Sequence, residues 1–100
     1  MRATIQELNG EMVATLEGRL DTASAAETES VLEPLNDCEG KDIVLDCTEL
    51  KYISSSGLRI FLGILKKAKT WGGHVYIKGM SDEIRAVFTM TGFIKLFEFK

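Results

Sequence analysis

Hydrophobic and polar positions change period several times along the chain, and each change marks an element. Thr4–Leu8 and Met12–Glu17 read as two strands, and Asn9-Gly10 between them suits the type I′ turn of a tight hairpin. Gly18 interrupts that pattern. Asp21 or Thr22 can then cap a helix running to about Leu35, with Thr28, Val31, Leu32 and Leu35 at helical spacing. Pro34 weakens its last turn, because proline donates no backbone hydrogen bond and pushes its predecessor out of helical geometry. Asp42–Cys47 is a short apolar run of the kind that forms a buried strand. Leu58, Phe61, Leu62 and Leu65 make the core stripe of a second helix, widened by Ile60, Ile64 and Ala68 and ended by Gly72-Gly73. His74–Lys78 is the next strand. Ser81 caps a third helix, with Asp82 and Glu83 in its first turn and Ile84, Val87 and Phe88 on its inner face. Phe97–Phe99 alternates as a final strand. Strands alternating with helices predict an α/β fold with a largely parallel sheet. Repeats, linkers and low-complexity tracts are absent from the sequence.

Length and composition narrow this further. One hundred residues, 45% of them hydrophobic, suit a single domain over 1–100 with a real core and little room for a deep catalytic cavity. A net charge of −3 argues against a nucleic-acid binder that neutralises phosphates. Lys66, Lys67 and Lys69 form a local cluster that reads either as an anion-facing surface or as cations placed at a helix C-terminus; the second is the simpler reading. Residues 1–17 lack the apolar core of a signal peptide, and Leu58–Leu65 is broken by Arg59 and far too short to span a bilayer. Cys38 and Cys47 match neither CxxC nor a zinc spacing, so the expectation is a reduced, cytoplasmic protein with two inert, unpaired thiols.

Catalytic chemistry finds no support. His74 has no acidic or cysteine companion at a telling spacing, so neither a metal nor an acid–base role is expected of it. Gly57 and Gly63 lie within a helical pattern, and no phosphate-binding lysine motif follows them. The first strand ends in Asn9-Gly10 and not in the acidic pair that a phosphoacceptor carboxylate needs. The chain is therefore expected to be a binding protein, with no cofactor, metal, nucleic acid or membrane partner.

Ile53-Ser54-Ser55-Ser56-Gly57-Leu58 is the segment that stands out. Three hydroxyls and a glycine lie between a strand and an apolar helix, where bare N–H groups and the positive dipole end gather. With Ser54 as the N-cap, Ile53 falls at N′ and Leu58 at N4, the pairing of a hydrophobic staple; moving the cap to Ser55 or Ser56 destroys it. Ser55 then occupies N1 with its hydroxyl free. The plainer alternative is that all three serines only cap and solvate a helix start.

Taken together, Gly18-Arg19-Leu20-Asp21, Val44-Leu45-Asp46, the serine segment, Gly73-His74-Val75 and Thr91–Phe97 resemble the anti-sigma factor antagonists, the single-domain members of the STAS group. The resemblance implies a mixed sheet with an N-terminal hairpin, about five strands, and three to four helices packed mainly on one side. It implies a partner anti-sigma factor, often a serine-protein kinase, whose phosphorylation of a residue at the second helix's start breaks the complex, and a PP2C-type phosphatase that reverses it. By position the phosphoacceptor falls on Ser55, and the partner surface on Asp21, Ser54, Ser55, Ser56, Gly57 and Arg59. A partner packed over Ser55 and Gly57 would be excluded by bulk at either residue. Asp21 matches the family's acidic residue beside the switch serine; a plain N-cap is the other reading. Many members carry Asp where this chain has Ser54, so a negative charge beside the acceptor is missing. Two alternatives stay open: a STAS-type subunit of a transporter or signalling complex that is never phosphorylated, and a phosphocarrier enzyme using Ser55 covalently.

Overall fold

The computed structural model describes residues 1–37 and 40–100. Asn9 and Gly10 take left-handed φ values of 54° and 81°, closing the hairpin the sequence predicts between β1 (Arg2–Leu8) and β2 (Glu11–Leu20). Strand β2 does not end at Gly18. The glycine takes φ 95°, register shifts flank it, and the strand resumes to pair Arg19 with Tyr52 and Leu20 with Ile53.

That resumption also explains why β3 runs from Asp42 to Ile53, well beyond the predicted Cys47. The stretch after Cys47 lacks clean alternation, but the β2 backbone supplies its hydrogen bonds. Helix α1 spans Thr22–Leu32, and the predicted continuation to Leu35 is instead a 3-10 turn over Glu33–Asp37 that contains Pro34. Proline cannot donate the next helical bond. The remaining elements are α2 (Ser55–Lys69), β4 (Val75–Lys78), α3 (Asp82–Thr91), a 3-10 turn over Phe93–Lys95 and β5 (Glu98–Phe99). Gly92, left-handed at φ 79°, closes α3.

The sheet has five strands in chain order, β1 antiparallel to β2 and each later strand parallel to its neighbour. Its inner face (Ala14, Leu16, Ile43, Leu45, Cys47, Val75 and Ile77) is buried with Leu32, Phe61, Ile64, Ile84 and Phe88 of the helices. Phe88 anchors this core, 6.2 Å from Phe61 and 5.9 Å from Phe97 between ring centroids. The opposite face carries the alternate, mostly polar residues, among them Lys100, which bonds Glu11 at 2.8 Å and lies over the Tyr76 ring. Helices therefore pack on one side only. Because β2, β3 and β4 run parallel, the helices that follow them all begin at the same edge of the sheet.

Candidate functional site

Two helix starts are locked together at that edge. The Ser54 N–H donates to the Leu20 carbonyl at 2.8 Å, so the last residue of β2 holds the residue from which α2 springs. Ser54 is the N-cap the sequence predicts. Its backbone is extended, and its hydroxyl accepts from the Gly57 N–H at 3.3 Å. Ile53 and Leu58, the two ends of the predicted staple, are both buried in the main core. Next to Leu20, Asp21 caps α1. Its carboxylate accepts from the Ser24 N–H at 3.0 Å, while the Ser24 hydroxyl accepts from the Asp21 N–H at 3.1 Å. The backbone bond from Ser24 and then its hydroxyl hold the Asp21 carboxyl below its ordinary value; burial opposes them, by more than the nearby Arg19 guanidinium adds. Asp21 is thus a cap in its own right, one residue beyond the pairing that positions Ser54.

The predicted site residues separate into two groups. Ser55 is exposed at the first position of α2, and among the described residues nothing bonds its hydroxyl. Arg59 is exposed one turn further on, and Ser56 is half-buried. Gly57 belongs elsewhere. It is buried, and a Cβ on it would lie 2.7 Å from Leu20 Cγ and 2.8 Å from Ile53 Cγ1. The missing side chain at Gly57 lets β2's end approach α2 inside the protein, so bulk added there meets Leu20 and Ile53 first.

Sequence reasoning passed over Arg19 and Tyr52 as members of this edge. The Arg19 guanidinium lies 4.3 Å from the centroid of the half-exposed Tyr52 ring, a cation–π contact between residues far apart in sequence. Neither was legible from the pattern, because Arg19 lay beyond the predicted end of β2 at Glu17 and Tyr52 beyond that of β3 at Cys47. His74 stands outside this edge, before β4, with its Nδ1 2.7 Å from Glu98 and its ring stacked on Tyr76. Among the described residues no cluster of His, Cys, Asp and Glu could hold a metal ion. None of the described helices is long and apolar enough to cross a membrane. Cys47 is a free thiol in the core whose burial pushes it up to about 12; Cys38, and with it the expectation that the two thiols stay unpaired, lies outside the described residues.

Residues 2–100 match the family model described as the STAS domain. BtrV of Bordetella bronchiseptica, assigned by name as an anti-sigma factor antagonist, is 32% identical over 97 residues, 97% of this chain and 84% of that protein. The anti-sigma-B factor antagonist of Staphylococcus aureus is 36% identical over 75 residues, 75% of this chain and 69% of the relative. The solved structure of SpoIIAA, a Bacillus cell fate determinant, in its phosphorylated form has a TM-score of 0.74 at 19% identity, covering 99% of this chain and 91% of that one. At that identity the likeness is one of fold.

Proposed function

The chain belongs to the STAS domain family, and from that membership we propose that it is an anti-sigma factor antagonist switched by phosphorylation of Ser55. It binds, in the cytoplasm, an anti-sigma factor of the serine-protein kinase type, and a PP2C-type phosphatase restores the binding form. Asp21, Ser54, Ser55, Ser56 and Arg59 contribute to the partner surface, with Gly57 shaping it from beneath. The relatives named as antagonists support the binding role. Such proteins regulate by binding, and catalysis is no part of the role.

The observation that carries the switch is the division of labour between two adjacent serines. Ser54 spends its hydroxyl on the helix cap, whereas Ser55 is exposed with its hydroxyl unused. A phosphate on Ser55 would add roughly −1.5 to −2 charges at the first turn of α2. There the dipole and free N–H groups favour an anion, so the fold is kept. A partner seated on Ser55 would instead have to desolvate or repel a bulky dianion, at a cost of several kcal/mol.

Calorimetric titration against the cognate anti-sigma factor tests this. Ser55→Asp should lose most affinity while staying folded, and Ser55→Ala should bind constitutively. Undiminished binding by Ser55→Asp would place the interface elsewhere. Intact mass after incubation with ATP and the kinase separates the other readings: stable phosphoserine marks the switch, no modification the unphosphorylated subunit, and turnover the phosphocarrier. Ser54, standing where many members carry Asp, is the observation that keeps the unphosphorylated subunit in view.

A further inference from the structure

Helix α2 carries four cations, Arg59, Lys66, Lys67 and Lys69, and no acid, in a chain of net charge −3. All four are exposed, and among the described residues none has an ion pair. The three lysines in the last turn are where the helix dipole favours them. Arg59 is different. It lies in the second turn, near the positive end of the helix, where a cation gains nothing from the dipole. On a repeat of 3.6 residues, Arg59, Lys66 and Lys69 fall on one outward stripe, and Ser55 stands at its head.

We infer that this stripe is a docking surface for an acidic strip on a partner protein, with Ser55 at one end of the contact. The inference rests on the antagonist reading and names the chemistry of the partner's face. The neighbouring helix selects the occupant. Helix α1 packs beside α2 and, with the turn that follows it, exposes Glu27, Glu29 and Glu33 with no basic residue among them. A membrane or nucleic acid broad enough to cover both helices would also meet α1's carboxylates, of which Glu29 lines the groove between the helices with Ile60, Gly63 and Lys67. A narrow acidic element can follow α2 alone, along a length of about 22 Å. The same geometry deepens the role of Ser55: a phosphate there would offset roughly half to two thirds of the charge of the three-cation row that attracts the partner.

The test uses the intact, 15N-labelled protein and a synthetic helical peptide with glutamates along one face, against a DNA duplex and phosphatidylserine vesicles. At low salt (about 50 mM) the peptide should move the amide signals of α2 and leave those of α1 in place, with affinity falling about tenfold at a few hundred millimolar salt. Lys66→Gln/Lys69→Gln, at exposed positions and checked for an unchanged melt, should weaken the peptide by about tenfold, as should genetically installed phosphoserine at position 55. Peptide binding indifferent to the double substitution, or tighter binding of DNA or vesicles to the same stripe, would overturn the inference. So would a cognate anti-sigma factor that binds the double variant as well as the parent, a result that leaves the antagonist reading standing. Peptide binding that obeys the double substitution, in a protein that takes up no anti-sigma factor, supports the stripe and sinks that reading alone.

Discussion

Two glycines of the same helix should respond oppositely to the same change. Gly57 has Leu20 and Ile53 within 3 Å of where a Cβ would stand, whereas Gly63 is exposed with nothing within 4 Å. Gly63→Ala gains helix propensity freely and should stabilise the protein by about 1 kcal/mol. Gly57→Ala must displace a fully buried Leu20, and overpacking of this kind costs roughly 1–3 kcal/mol, more than the propensity gain. Urea melts of the pair decide the matter; a stabilising Gly57→Ala would mean that Leu20 yields readily. Asp21 makes its own prediction at this scale. Its carboxyl is held below the ordinary value, so the unfolded chain binds more protons near pH 4 and the charge stabilises the fold above that pH. Asn caps a helix about as well as Asp. Asp21→Asn should therefore be less stable than the parent at neutral pH, and the gap should close as pH falls below about 4. Thermal melts across that range that stay parallel would show that the charge contributes nothing.

Within α2, the division of roles between Ser54 and Ser55 is measurable before any partner is known. Ser54→Ala removes the oxygen that accepts from the Gly57 N–H and should cost about 1 kcal/mol, while Ser55→Ala should be nearly neutral. Ser55→Asp should gain a few tenths of a kcal/mol at low salt from the dipole. If Ser55→Ala proves the more damaging in denaturant melts, the cap has been assigned to the wrong serine. At the opposite end of the amphipathic pattern lies α1, which buries only Thr28 and Leu32 and stops where Pro34 intervenes. Its weak stripe explains why its predicted end ran three residues too far. Its start was legible as a choice between Asp21 and Thr22, and the reciprocal bonds with Ser24 decided it for Asp21.

Across the whole molecule, Cys47 reports on the core. It is fully buried on the inner face of β3, and burial pushes its thiol up to about 12, so at neutral pH it holds almost no thiolate and offers no access. Maleimide labelling followed by peptide mass mapping should leave Cys47 unmodified in native buffer and label it in step with global unfolding by denaturant. Labelling at the rate of a free thiol would show that this part of the sheet opens on its own.

Periodicity and capping chemistry settled much from the sequence alone. The alternation around Asn9-Gly10 dictates the hairpin, the apolar stripe from Leu58 to Ala68 dictates α2, and the staple geometry of Ile53 and Leu58 assigns the cap to Ser54, because each depends on residues a few positions apart. What depends on distant pairing was left to the tertiary structure. The second half of β3 exists because β2 resumes beyond Gly18 and supplies hydrogen-bond partners that no local pattern announces. Likewise, Gly57 reads as an open surface position in a serine-rich turn until Leu20, brought in by the bond to Ser54, fills the space above it. The Arg19–Tyr52 contact follows from the same pairing of β2 with β3. A side chain's neighbours within a turn are written in its sequence; its neighbours across a sheet are chosen by register, and register is a property of the folded whole.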